Sequence, residues 1–155
     1  MQYKGSDRDA LRMLVDHEIA ISDLYTAYAD LFGDYRDYWN LLASEEREHA
    51  DAITGLLEIV DGGRKVVDTS EFKPVAIKTS IDYLRDQAKR AANTPIALPV
   101  ALSTALDLEK AMIERKFFGI FDTDSEEARK VLKILEEGTH THIDTIEHEW
   151  RKYRS

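Results

Sequence analysis

The sequence predicts an all-α domain: four long helices forming a bundle, with a long crossover that contains a short helix between helices 2 and 3. Three observations carry the prediction. Apolar residues recur at helical spacing through four long stretches. Within each half, only a short turn separates two such stretches, which makes them antiparallel neighbours. Between the halves lie residues 62–94, too long for a tight turn and able to run the length of a bundle.

Each element has its own signals. Ser6 with Asp9 three residues on reads as a capping pair, and Leu11, Leu14, Val15, Ile21, Tyr25, Ala29 and Phe32 keep a helical period up to Gly33, giving a first helix over about 7–32. Asp34 is the expected cap of the second helix. Its inner stripe is Trp39, Leu42, Ala43, Ala50, Ile53, Leu57 and Val60, and it stops at Asp61-Gly62-Gly63. The crossover holds Lys73-Pro74 and a short amphipathic helix at roughly 80–92, marked by Ile81, Leu84, Ala88 and Ala91. Thr94-Pro95 reads as a cap followed by proline at the first helical position, opening a third helix through Leu98, Leu102, Ala105, Leu106, Met112, Ile113 and Ile120. Asp122-Thr123-Asp124 ends it. The fourth, capped by Asp124 with Glu127 three on, passes Val131, Ile134, Leu135, Ile143, Ile146 and Trp150 to about Tyr153.

Composition excludes several classes of function. With 155 residues, 43% hydrophobic and 33% charged, the chain suits one globular domain, 1–155, with a real core. A net charge of −9 and the lack of a basic stripe interleaved with aromatics argue against nucleic acid and anionic membrane surfaces. No apolar run approaches a membrane span, and Met1-Gln2-Tyr3-Lys4-Gly5 does not open a signal peptide, so the expected location is cytoplasmic. Cysteine is absent, which removes disulfides, thiol catalysis, thiolate-bound zinc and iron–sulfur clusters. Any electrons the chain uses must come from an external donor protein.

The chemistry is suggested by a repeat. At an ungapped shift of 91 residues, Glu18, Glu46 and His49 recur as Glu109, Glu137 and His140, and Glu45 recurs as Glu136. The other identities at this shift are Ala10/Ala101, Leu11/Leu102, Asp16/Asp107, Ala20/Ala111 and Leu41/Leu132. Glu and His three apart on a helix project from one face and can hold one metal, so two halves with matched sets suggest two metals. A rise of ~1.5 Å per residue puts all four acids about 18–23 Å along their helices, near the mid-plane. Glu18 interrupts the apolar stripe between Val15 and Ile21, Glu46 with His49 between Leu42 and Ile53, and Glu109 between Leu106 and Met112. The fourth helix is noisier, because Lys130, Lys133 and Asp144 share the side of Glu137. Buried carboxylates at such depth cost several kcal/mol each without partners, and four of them around two divalent cations cancel to zero. A single Glu-x-x-His is most often a solvated helix face; two, each 28 residues after a stripe-interrupting Glu, are harder to explain that way. His17, His142 and His148 have no acid three residues upstream and read as surface or satisfied interface residues.

A Glu-bearing helix and a Glu-x-x-His helix, given twice across a long crossover, resemble the ferritin-like di-iron carboxylate superfamily. The phrases His17-Glu18-Ile19-Ala20-Ile21-Ser22-Asp23-Leu24-Tyr25 and Trp39-x-x-Leu42-Ala43-x-Glu45-Glu46-x-x-His49-Ala50 are most similar to rubrerythrin-like members. The resemblance covers almost the whole chain and implies a ferritin-like four-helix bundle. It implies that Glu46 and Glu137 bridge or flank two iron ions, that Glu18 and Glu109 are terminal or bridging carboxylates, and that His49 and His140 each complete one metal. It further implies that Glu45 and Glu136 accept hydrogen bonds from the opposite half's histidines, pairing Glu45 with His140 and Glu136 with His49 and fixing the imidazole tautomers. Tyr25, seven residues after Glu18, stands where the family places a tyrosine close to the metals; a plain core aromatic is the alternative, since its repeat partner is Lys116.

Two departures bear on function. The chain lacks the cysteine-rich rubredoxin domain of rubrerythrins proper, and Leu106 and Met112 occupy the positions where an extra Glu would serve an iron that moves between redox states. Carboxylates with imidazoles and no sulfur suit iron or manganese, with zinc as an in vitro occupant. The expected chemistry is oxidation of a di-ferrous site by peroxide or dioxygen, as a peroxidase or ferroxidase. The competing reading is a non-catalytic metal-binding or iron-carrier bundle, and a third is a structural bundle without metal. Tyr35, Tyr38 and Trp150 are candidate positions for a homodimer interface.

Overall fold

The computed structural model describes residues 6–153, and its regular secondary structure is helical. The reading of residues 1–5 as no signal peptide lies outside the described residues. Helix α1 spans Asp7–Leu31, α2 Arg36–Asp61, α3 Pro74–Asn93, α4 Leu98–Glu114 and α5 Glu126–Arg151. No helix among the described residues is long and apolar enough to cross a membrane.

The first helix starts where the sequence places it. Ser6 Oγ accepts from the Asp9 amide at 3.0 Å while Asp9 returns a bond to the Ser6 amide, so two of the orphan amides of the first turn are satisfied. The other caps differ from expectation. A short 3-10 turn, Gly33–Tyr35, joins α1 to α2, and Asp34 falls inside it instead of capping α2. Ser125, not Asp124, caps α5 by accepting from the Ala128 amide. Thr94 closes α3, and α4 begins three residues beyond Pro95 after Ala97, with Pro99 in its first turn.

The helix between α2 and α4 is longer than the sequence suggests, because Pro74 starts α3 in its first turn and Ile77 adds to the stripe of Ile81, Leu84 and Ala91. That stripe packs on α1, which packs in turn on α2; α4 pairs with α5, and α2 with α5. The third long helix is shorter than expected. It ends at Glu114, Lys116 adopts a positive φ of 55°, and Phe117, Phe118, Ile120 and Phe121 turn under the core. Val67 and Phe121 form an isolated antiparallel bridge, flanked by Asp68 N to Ile120 O at 2.7 Å and Asp122 N to Val66 O at 2.9 Å. These bonds tie the α2–α3 connection to the α4–α5 connection and so fix where α5 begins.

One core runs through the bundle-like packing, with Leu11, Leu14, Ile21, Leu24, Tyr25, Trp39, Ile53, Leu102, Ala105, Leu135 and Ile146 buried. Four charged or ionisable ligand-type residues from three helices are set into its middle, and a fifth comes from α5.

Candidate metal centre

Glu18 on α1, Glu46 and His49 on α2, Glu109 on α4 and His142 on α5 are all buried, Glu109 completely and Glu18 and Glu46 to within 1%. Their ligand atoms form two groups, Glu18/Glu46/His49 and Glu46/Glu109/His142, each with its ligand atoms within 4.8 Å of one another. Glu46 belongs to both. Two such groups sharing one carboxylate form a compact five-residue cluster at the centre of the molecule.

The geometry follows from helical spacing. His49 is one turn after Glu46, and its Nδ1 lies 3.4 Å from Glu46 Oε2. Across the core, His142 Nδ1 lies 2.9 Å from Glu46 Oε1 and 3.1 Å from Glu109 Oε1. The imidazoles of His49 and His142 face each other, with centroids 5.8 Å apart and an interplanar angle of 26°. The other nitrogen of His142, Nε2, is 3.2 Å from Glu45 Oε1. With an ion in place of the Nδ1 proton, a proton held at Nε2 by Glu45 would keep the Nδ1 lone pair toward the cluster, the arrangement that orients an imidazole ligand. Beside Glu46, Arg47 bonds Ser22 and Asp23 of α1, and Ser22 Oγ donates to Ala43 O at 2.8 Å, which pins the α1–α2 face at the level of the site.

Crowding three carboxyls in an apolar interior perturbs them. Burial, reinforced by the Glu46 charge, raises Glu18 well above the usual carboxylate range. Burial and Glu46 raise Glu109 as well, against the pull of His142. For Glu46, burial is outweighed by the neighbouring Glu18, His142 and His49 side chains, and its carboxyl is held well below the usual range. His142, against the effect of burial, is pushed up to about 11 by its bonds to Glu109 and Glu46. Without metal, the cluster is therefore centred on one carboxylate, Glu46, which receives a bond from the His142 imidazolium. Glu18 Oε1 and Oε2, Glu46 Oε2, Glu109 Oε2 and His49 Nδ1 are buried with no hydrogen-bond partner among the described residues. Orphaned acceptors converging on one point fit a cation, and oxygen and imidazole donors suit a divalent metal.

The sequence-predicted set is brought together in four of six cases: Glu18, Glu46, His49 and Glu109. Glu137 and His140 are a correction. Both are exposed on the outer side of α5, where Glu137 pairs with Lys133 at 3.9 Å. Glu136 is exposed too and does not reach His49, whereas Glu45 does bond a histidine of the opposite half, His142 in place of His140. The physical reason is the register of α5. From Glu18 to His49 is 31 residues (49 − 18), but from Glu109 to His142 is 33 (142 − 109), so the connection built by residues 115–125 displaces the repeat by two. The inner stripe of α5 is Ala128, Val131, Leu135, Thr139, His142 and Ile146. The sequence held the signal: His49-Ala-Asp51-Ala-Ile53 recurs as His142-Ile-Asp144-Thr-Ile146, and Lys130 and Lys133 marked the Glu137 side as solvated.

With this register, Thr139 occupies the α5 position equivalent to Glu46, buried, its hydroxyl donating to Leu135 O at 2.7 Å. Gly138 lies against His49: a Cβ there would overlap His49 Nε2 and stand 2.6 Å from Cε1. α5 brings one ligand-type residue, His142, into the cluster, where the sequence suggests two. Tyr25 is fully buried near the cluster, its hydroxyl without a hydrogen-bond partner, and its phenol is raised well above the usual range by burial and by Glu109 and Glu46. His17, also buried, bonds Ser80 of α3 through Nε2 at 2.7 Å, and burial lowers it to about 4 against the pull of the Glu46 charge, so it is a neutral packing residue. No protein-family model, curated protein or solved structure matches the chain.

Proposed function

We propose that the protein is a ferritin-like carboxylate metalloprotein that binds two divalent metals, iron before manganese or zinc, and reacts with peroxide or dioxygen as an oxidoreductase. One observation carries the reading: two buried three-ligand groups that share Glu46, with the unpartnered carboxylate and imidazole atoms turned inward. Glu18 and His49 would hold one ion and Glu109 and His142 the other, with Glu46 between them. A bridged iron pair supplies two-electron chemistry toward a small oxidant. The chain supplies the rest. Leu14, Ile21, Leu102, Ala105 and Leu135 belong to the buried core into which the cluster is set. Glu45 would hold His142 in one tautomer, and Glu18, inclined to carry a proton in the metal-free cluster, would give it up as an ion enters. Three carboxylates against two divalent cations would leave one positive charge, which would favour a small anion at the site.

The same shortfall of one carboxylate supports a second reading, reversible loading by a metal carrier, because Thr139 supplies no charge where a fourth acid would stand. Metal analysis of protein purified without chelators, with an optical spectrum after aerobic oxidation, tests the first part. Two irons per chain and an oxo-bridge absorption are expected; protein with no bound metal overturns both readings. Turnover with peroxide and a reductant separates enzyme from carrier. The electron donor, cytoplasmic location and homodimer expected from the sequence belong to this proposal as its biological setting.

A further inference from the structure

Two helical turns from the ligands lies an aromatic layer that the site does not use. Tyr25 follows Glu18 by seven residues and Trp39 precedes Glu46 by seven, which at ~1.5 Å per residue puts both rings roughly 10 Å along the bundle from the carboxylates. Their ring centroids are 5.5 Å apart. From Trp39 the contacts continue outward: Tyr38 at 5.3 Å, then Tyr35 at 5.7 Å from Tyr38, in edge-on geometry. Tyr35 OH is 2.9 Å from Tyr153 OH and donates to Glu149 Oε2 at 3.1 Å. Tyr25 and Trp39 are fully buried, whereas Tyr153 is 45% exposed, so the series runs from the centre of the molecule to its surface.

We infer that Tyr25, Trp39, Tyr38 and Tyr35 form a redox relay between the buried Glu/His cluster and the surface at Tyr153, with Tyr35 as its oxidisable end and Glu149 as the acceptor of its phenolic proton. The inference rests on the metal centre proposed above. Its direction comes from the hydrogen bonds. An oxidised phenol or indole is stabilised when its proton has somewhere to go. Tyr25 OH, Trp39 Nε1 and Tyr38 OH are buried without a partner, so none of them can shed a proton and trap the missing electron. Tyr35 has a carboxylate in hydrogen-bond contact and can. The three inner rings are transit points and Tyr35 is the resting place.

The electron count closes with hydrogen peroxide as oxidant and a one-electron organic reductant of the ascorbate class. Peroxide takes up two electrons through the relay and two protons from solvent, breaks its O–O bond and becomes two waters, while the reductant gives up its own protons to solvent at the surface. Tyr35 supplies these electrons one at a time. Each time its O–H bond breaks, the electron passes inward through Tyr38, Trp39 and Tyr25, and the proton passes to Glu149, leaving a neutral phenoxyl radical. The reductant, arriving at Tyr153 and Tyr35, returns an electron; Glu149 returns the proton. The buried cluster is thereby served without admitting the reductant to the core.

The test is a freeze-quench electron paramagnetic resonance measurement on iron(II)-loaded protein mixed with hydrogen peroxide, with iron content measured before mixing. A tyrosyl signal is expected in the wild type and its loss in Tyr35→Phe. Trp39→Phe and Tyr38→Phe, which keep a ring but not an oxidisable one, should each cut the yield severalfold; Tyr38 is only half-buried, so it stays informative if Trp39→Phe folds poorly. Glu149→Gln should prevent the neutral radical from accumulating. Tyr83→Phe, an exposed tyrosine outside the series, should change nothing. Ascorbate should quench the wild-type signal. Equal radical yield in wild type, Tyr35→Phe and Tyr38→Phe at equal iron content overturns the relay and leaves the metal centre standing. A wild type that binds no iron overturns the metal centre, and the relay with it.

Discussion

His142 of α5 places its Nδ1 2.9 Å from Glu46 Oε1 of α2, and this one contact closes the cluster across the core. Glu46 is the carboxylate common to both ligand groups, so the α5 histidine is held to the residue on which both depend. The pair sets the first prediction. His142→Ala should lose one metal and weaken the other, whereas His140→Ala and Glu137→Gln, on the exposed side of α5, should retain full metal content. Metal-to-protein ratios by mass spectrometry decide it, and metal loss in His140→Ala with retention in His142→Ala would show that α5 is turned the other way.

The second prediction concerns Gly138. Its Cβ, if present, would collide with the His49 ring, so Gly138→Ala should turn His49 away from Glu46 and cost the metal held by Glu18, Glu46 and His49. The alanine also favours the helix by ~1 kcal/mol over glycine, which offsets the collision. Loss of one metal with little change in melting temperature is the expected pattern. Two metals retained would mean that α5 can shift to accept the methyl group.

A third concerns pH. Glu18 and Glu109 have folded-state values raised from 4.5, so their contribution to stability is full below that pH and is lost as pH rises through the raised values. His142, raised from 6.5 to about 11, contributes fully below 6.5 and progressively less up to about 11. Glu46, lowered, works in the opposite sense and loses its contribution as pH falls below 4.5. Metal-free protein should therefore melt at lower temperature at pH 9 than at pH 5, and Glu18→Gln should flatten that slope. Calorimetric melts across this range check it; a metal-free melting temperature that climbs from pH 5 to pH 9 contradicts the buried cluster.

Fourth, metal binding should release protons, because Glu18, Glu109 and His142 bind ions only in forms that have given theirs up. Titration calorimetry of the apo protein with manganese(II) in buffers of different ionisation enthalpy should give buffer-dependent heats at pH 7. Buffer-independent heats would place the ion elsewhere.

The sequence by itself determined that the chain is helical, where α1 and α2 lie, and that Glu18, Glu46, His49 and Glu109 share an interior. Those four interrupt apolar stripes, and a stripe interruption is a local property that helical periodicity exposes. Tertiary structure decided the rest. The face of α5 turned inward depends on how many residues the α4–α5 connection consumes, and that depends on Lys116 taking a positive φ and on the Val67–Phe121 bridge, neither of which leaves a periodic trace. An ungapped repeat therefore selected Glu137 and His140, two residues out of register, where one residue is about 100° of helix rotation. Packing chose His142, because only the stripe of Ala128, Val131, Leu135 and Ile146 buries enough apolar surface to seat α5, and a histidine on that stripe meets Glu46 and Glu109 in the core.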